Sequence, residues 1–470
     1  MTKKIKRGFT VFLMLFVVVL FASAQHPKYV FYFIGDGMGV NQVNGTRVFI
    51  SSPKEANTDS VSIQQLLMTT FPVASVATTH SATNRVTDSA ASGTALATGH
   101  KTYNHAIGVD VNKQSLTSIA YKAKRSGYAV GIASTVGIDH ATPASFYAHQ
   151  PSRNLYYEIA SELPATNFDF FGGSGFFASQ DKKRTDILTK ITDGGYTIVR
   201  GYDAFDKLPN STKKVVLIQK EGKNPTDVPY AINRDKDDLT LTQITKAAIK
   251  QLSKNKKGFF VMLEGGKIDW ACHGNDAATV FQEVVDMDNA VKVAYNFYLK
   301  HPKQTLIVIT ADHETGGLAL GTGAYHLNFG ALHYQTCSID KLTEAFNKLR
   351  KEKKNQVTWE EAKNLLSEKM GFWKHLTLTW PQERKLHDVF EESFVNKDVS
   401  LDENMYASNE PLAAAAKEVM SSIALVSWAS SGHSDGLVPV YAIGVGANEF
   451  KTTQENSDIP VKIEKIARYK

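Results

Sequence analysis

The sequence predicts an α/β protein of three layers (α/β/α), with a central, mainly parallel sheet between helices and a mostly helical insertion late in the chain. Two observations predict the sheet. Short apolar, β-rich runs recur at 29–34 (YVFYFI), 73–78 (VASVAT), 129–134 (AVGIAS), 258–263 (GFFVML) and 305–310 (TLIVIT), and helix-patterned segments stand between them. Near-continuous apolar runs alternating with helices are the pattern of a parallel sheet covered on both faces. The insertion is predicted by a third observation: between about 324 and 425 the strand signals fade and helix starts accumulate.

Taken in chain order, the first 24 residues place Lys3, Lys4, Lys6 and Arg7 before an apolar run that ends in Ala22-Ser23-Ala24, the pattern of a secretory signal and its cleavage site. The run is short for a spanning helix of ~20 residues, so removal after Ala24 is expected, leaving no membrane anchor and an exported protein, periplasmic or secreted. Without those four basic residues the formal charge falls from +6 to +2, and no nucleic-acid partner is indicated. Cys272 and Cys337 are the only cysteines. They allow at most one bridge, and a chain of this length can bury a core without it. No internal repeat or low-complexity linker marks a second domain, so residues 25–470 read as one domain.

A helix is predicted from about 241 to 252, and another carries Val280, Val284, Met287, Val291 and Ala294 at three- and four-residue spacing. Within the insertion, Thr358 and Glu361 form a capping-box pattern, Gly371 follows as a stop, and Pro411 suits a first helical position. The segment is too long for a plain loop, and covering a site entrance or forming a subunit contact would account for its length.

In an open α/β sheet, ligands bind beyond the carboxyl ends of the strands. Asp36 follows YVFYFIG, Glu264 follows GFFVML, and Asp312 and His313 follow TLIVITA, so three strands deliver acids or imidazoles to one edge. EGGKIDWACH adds Asp269 and His273, four apart, and SSGHSDG adds His433. Singly, a strand-end Asp is more often a turn former, and a lone His is usually structural. Jointly they point to metal. Carboxylate and imidazole without a thiolate pair suit catalytic Zn²⁺, and an all-oxygen set suits Mg²⁺. In VTDSAASGTALATGHKT, Ser89 stands between Asp88 and a run of small residues. Its hydroxyl is a weak nucleophile unless another group strips or neutralises its proton.

With these motifs in place, the chain resembles the alkaline phosphatases from Asp36 to His433. The family pattern around the phosphorylated serine stands here as DSAASGTA, Asp88 to Ala95. The resemblance implies hydrolysis of phosphate monoesters through a phosphoserine on Ser89, releasing inorganic phosphate at a site of two zinc ions and one magnesium. It implies one zinc on Asp269, His273 and His433, a second on Asp36, Asp312 and His313 with Ser89, and magnesium on Asp36, Thr142 and Glu264. Arg153 matches the arginine that clamps the phosphoryl oxygens. Asp88 fits two roles, holding that arginine or capping the helix after Ser89. Small residues after Ser89 let a helix begin at once, with its N–H groups facing phosphate. The partners implied are small phosphorylated substrates and a second copy in a homodimer.

His140 stands where one branch of the family has an aspartate, and Trp270 where it has a lysine; other members share the combination. An imidazole near the third site makes Zn²⁺ or Co²⁺ a replacement for Mg²⁺. Trp270 offers an indole N–H without the lysine's charge, so phosphate is expected to be held less tightly, unless Trp270 merely packs beside the metal loop. The alternatives are a related metal-dependent phosphodiesterase or sulfatase, a non-catalytic phosphate- or metal-binding secreted protein, and a metal-free serine esterase. Arg153 favours a monoesterase over the first, and Ser89 beside a full ligand set counts against the second.

Overall fold

The computed structural model describes residues 26–54, 63–323, 325–396 and 401–470. The expected signal segment lies outside the described residues. Among those residues no helix is long and apolar enough to cross a membrane.

Ten strands form one sheet: β1 Tyr29–Gly35, β2 Val73–Thr78, β3 Ala129–Ser134, β4 Phe170–Gly172, β5 Thr197–Arg200, β6 Val215–Ile218, β7 Phe259–Gly265, β8 Thr305–Ala311, β9 Val438–Gly444 and β10 Gln454–Glu455. Their order is β10-β2-β9-β8-β1-β7-β3-β4-β6-β5. Only β9 runs against its neighbours, β2 and β8; the other pairings are parallel. The five apolar runs seen in the sequence are β1, β2, β3, β7 and β8, each within one or two residues of its expected bounds.

The other five strands carry weaker signals. β4, β5, β6 and β10 are two to four residues long. β9 contains Pro439, which pairs with Val76 of β2 and stands outside the ladder with β8, which begins at Tyr441.

Strands β7 and β8 are buried at every residue, as a sheet covered on both faces requires. Alternate side chains of β1 reach opposite layers. Phe31 packs on Phe297 of the Ala277–Lys300 helix, and Tyr32 packs on Phe146 on the other side. The Leu241–Leu252 helix has the expected bounds, and its N-terminus is closed by a Thr240–Gln243 capping box, a feature worth ~1 kcal/mol.

Late in the chain, helices Ile339–Glu352, Trp359–Met370, Trp380–Phe390 and Pro411–Ala424 make the helical insertion. The Thr358–Glu361 capping box forms, Gly371 ends its helix at φ +75°, and Pro411 occupies the first turn. Both cysteines are free thiols.

Candidate active site

The three central strands end in register: Gly35 of β1 lies opposite Gly265 of β7 on one side and Ala311 of β8 on the other. Their carboxyl ends therefore deliver Asp36, Glu264 and Asp312 to one edge, each fully buried. Gly37 allows the turn after Asp36. Its φ is +69°, and a Cβ there would stand 2.8 Å from the Asp269 Cα. Its amide donates to Asp312 Oδ1 at 3.1 Å, and the His313 amide donates to the same oxygen at 2.9 Å.

Ser89 opens the Ser89–Thr98 helix, all ten of whose residues are buried. Small side chains are needed there, since even at Gly93 a Cβ would come within 3.0 Å of Ser145 Oγ and 3.2 Å of the Thr142 Cα. Asp88 performs both roles open to it. Oδ1 accepts the amides of Ala91 and His105 at 3.0 Å each, and Oδ2 accepts from Arg153 Nη1 at 3.1 Å. Burial works to raise the Asp88 carboxyl, but Arg153 and the two amides outweigh it and hold it below its ordinary range. The other arginine arm donates to His140 Nε2 at 3.2 Å.

Three imidazoles and three acids turn toward one another. His313 Nε2 lies 3.2 Å from Ser89 Oγ, 3.3 Å from Asp312 Oδ2 and 3.5 Å from Asp36 Oδ1. One turn of the Lys267–His273 helix puts Asp269 Oδ2 3.4 Å from His273 Nε2. A two-residue ladder pairs His433 with Thr315 and Ser434 with Glu314, and it lays the His433 ring on that of His313 at 3.7 Å. His273 and His433 each engage a backbone carbonyl through Nδ1, of Ser431 and Thr87 respectively, while their Nε2 atoms stand 3.2 Å apart. With Nδ1 donating, both Nε2 lone pairs point at a common centre.

The donor set fits cations. Asp36 Oδ1 and Oδ2, Glu264 Oε1, Asp269 Oδ2, Asp312 Oδ2, Thr142 Oγ1 and His140 Nδ1 are all buried with no hydrogen-bond partner among the described residues. Unpaired buried carboxylates are costly unless a positive charge meets them. Without cations, burial and then repulsion from Asp312, Asp269 and Glu264 push Asp36 well up. Burial raises Glu264 to about 7 and Asp312 to about 8. For Asp269 burial is outweighed by His273, with His433 and His313 adding to it, and the carboxyl is held low. Burial, joined by the Arg153 charge, lowers His140 to about 3, and burial with His433 holds His313 well down, so both imidazoles are neutral, the state that binds metal.

Three ligand groups have their donor atoms within 4.8 Å of one another: Asp269, His273 and His433; Asp36, Asp269 and His313; and Asp36, His140 and Glu264. The structure thus brings together all thirteen residues singled out in the sequence. It also adds some that sequence reasoning missed. Thr315 Oγ1 donates to Asp269 Oδ1 at 2.6 Å and lies 3.2 Å from His313 Nδ1. Glu314 accepts from Gln42 at 2.6 Å and from Ser434, tying the His433 ladder to the β8 edge. Their place directly after Asp312-His313 was the available signal. Ser134, which donates to Glu264 Oε2, gave none.

A buried serine at a helix start, faced by carboxylates and neutral imidazoles on a parallel sheet edge, defines the class: an α/β enzyme whose site is laid out to hold cations. Known proteins narrow it. The family model described as alkaline phosphatase matches residues 27–469. Alkaline phosphatase 3 of Bacillus subtilis (strain 168) is 31% identical over 466 residues, covering 95% of this chain and 92% of that protein. The cold-active alkaline phosphatase of Shewanella sp. superposes with a TM-score of 0.78 at 30% identity, over 93% of this chain and 99% of that one. A histidine-to-glutamate variant of the TAB5 alkaline phosphatase, solved with Mg bound in its M3 site, gives a TM-score of 0.65 at 26% identity, over 95% and 100% of the two chains. The chain belongs to the alkaline phosphatase family, whose members are metal-dependent hydrolases of phosphate monoesters.

Proposed function

We propose that this enzyme is exported after loss of residues 1–24 and hydrolyses small phosphate monoesters through a phosphoserine on Ser89, within a single catalytic domain spanning 25–470. The observation that carries the reading is Ser89 Oγ at the start of a buried helix, 3.2 Å from His313 Nε2 and framed by acids with free oxygens. Asp269, His273 and His433 would hold one zinc, and Asp36, Asp312 and His313 a second beside Ser89. Asp36, Thr142 and Glu264 would hold magnesium. The group Asp36, His140 and Glu264 supports zinc or cobalt as its replacement, because an imidazole joins the oxygens there. The bound cations would neutralise charge on the serine oxygen and the leaving oxygen and acidify the water of the second step.

The chain's own residues orient the reaction. Asp88, next to Ser89 in the chain, holds Arg153 through Nη1, and the guanidinium keeps further N–H donors for the phosphoryl oxygens. The first N–H groups of the Ser89–Thr98 helix lack partners within the helix and favour the same charge. Ser89 attacks phosphorus in line and forms the Ser–O–P bond as the alcohol leaves. Water then enters in line opposite Ser89, on the side the alcohol left, breaks the Ser–O–P bond and frees phosphate, the serine oxygen regaining a proton. In a water-poor, preorganised site this electrostatic work accounts for most of the rate enhancement in phosphoryl transfer. Trp270 N–H is buried without a partner among the described residues, which supports its proposed place beside bound phosphate.

Ser89→Ala is expected to lower kcat by about three orders of magnitude or more. It should also abolish acid-trapped phosphoenzyme while keeping zinc, because Asp36, Asp312 and His313 remain. Radiolabel retained on the alanine variant would refute the nucleophile. Turnover of nitrophenyl phosphate, bis-nitrophenyl phosphate and nitrophenyl sulfate tests the preference for monoesters.

A further inference from the structure

The metal-ligand cluster is built on the edge of the sheet, yet one side chain reaches it from the helical insertion. A short hairpin, Asp402–Glu403 paired with Ser408–Asn409, carries Tyr406 in its turn. Asn404 Oδ1 accepts the amides of Tyr406 and Ala407 at 2.9 Å each and shapes that turn. The Tyr406 ring stacks on Trp270 with centroids 4.4 Å apart and planes 12° off parallel. It meets His273 edge-on at 5.2 Å and lies 6.2 Å from His140. Its phenol oxygen is buried and has no hydrogen-bond partner among the described residues.

That oxygen differs in kind from the other unpartnered atoms around it. Carboxylate oxygens and Thr142 Oγ1 offer lone pairs, which cations satisfy. A neutral phenol presents an O–H, and the indole of Trp270 stacked on it presents an N–H that is likewise unpartnered. Donors of this sort call for an acceptor, and the carboxylates nearby are those assigned to cations in the proposed site. Arg153 belongs to the same cluster: its Nη2 donates to His140, whose ring lies 6.2 Å from that of Tyr406. Two buried donors on stacked rings, neither with a partner among the described residues, suit an anionic oxygen.

We propose that Tyr406 is a substrate-contacting residue, donating its phenol O–H to a non-bridging oxygen of the phosphoryl group held beside Arg153 and Trp270. The proposal rests on the Ser89-centred reading and extends it: the insertion completes the phosphate pocket that the sheet edge leaves open on one side. The stack on Trp270 sets the ring, and the hydroxyl does the binding.

The test is Tyr406→Phe in the full metal-loaded enzyme, a change that keeps the ring stack and removes one oxygen. Metal content should be unchanged. The inhibition constant for inorganic phosphate should rise roughly tenfold, and kcat/KM for nitrophenyl phosphate should fall by about the same factor, the usual loss for a hydrogen bond to a charged group. Constants indistinguishable from those of the parent would overturn the proposal, as would impairment confined to Tyr406→Ala, which would reduce the residue to a packing ring. Loss of metal from the phenylalanine variant would also overturn it. Phosphoenzyme labelling separates the two levels: label on Ser89 with unchanged constants removes Tyr406 alone, and no label on the parent removes the reading beneath it.

Discussion

Trp270 is the residue proposed to set the retention of product. Its ring is held between Tyr406 at 4.4 Å and the Lys267 ammonium at 4.2 Å, so it is positioned on both sides and cannot be regarded as a loose surface tryptophan. The indole offers one neutral N–H where a lysine would offer a charge. Trp270→Lys is therefore expected to tighten inhibition by inorganic phosphate roughly tenfold, the difference between a neutral and a charge-assisted hydrogen bond. Turnover should slow where product release limits it. Phosphate inhibition constants measured under identical metal loading decide this. Unchanged or weaker inhibition would return Trp270 to a packing role.

Among the elements that carry the site, the turn after β1 has little freedom. Gly37 sits at φ +69° with Asp269 Cα, Asp269 Oδ1 and Thr315 Oγ1 all within 2.9 Å of where a Cβ would stand, and its amide holds Asp312. Gly37→Ala costs ~1–2 kcal/mol from the backbone alone and must push the Lys267–His273 helix away from the β1 edge. Because Asp269, His273 and Asp36 move with it, kcat/KM should drop on the order of a hundredfold, with weakened metal retention. Kinetics and metal analysis on the purified variant test the point. Full activity would mean the helix can shift without moving its ligands. The helical insertion gives the opposite case: its caps at Thr358, Gly371 and Pro411 were legible because each is a local backbone requirement.

For the whole molecule, the unpaired acids link folding to cation binding and pH. In the cation-free protein Asp36, Glu264 and Asp312 titrate above the ~4 of an unfolded carboxylate, Glu264 at about 7 and Asp312 at about 8. Between those limits the folded state holds more protons than the unfolded one, so stability falls as pH rises from about 4 to about 8. Asp269 acts in the other direction, at lower pH. Cations compete with those protons and replace them. Chelated protein should accordingly melt at a lower temperature at pH 8 than at pH 5, and the gap between metal-loaded and chelated melting temperatures should widen over that range. Calorimetry on both forms measures it. A gap that stays constant with pH would show that these carboxylates do not hold the ions.

By itself, the sequence determined what is local or periodic. Continuous apolar runs marked β1, β2, β3, β7 and β8, whose ends gave away Asp36, Glu264 and Asp312, and the DSAASGTA motif marked Ser89. Short strands such as β4 and β10 carry too few residues for a pattern, and β9 is disguised by Pro439. Only the tertiary structure decided which acids face which imidazoles. The 3.2 Å approach of His273 to His433 depends on a ladder that joins residues 314–315 to 433–434. The arrival of Tyr406 depends on the insertion folding back over the sheet edge. Such contacts join segments far apart in the chain, and they form because burying apolar faces forces the polar tips at the edge together. No spacing rule within one segment records that outcome, so residues whose role comes from packing across segments became visible only in the fold.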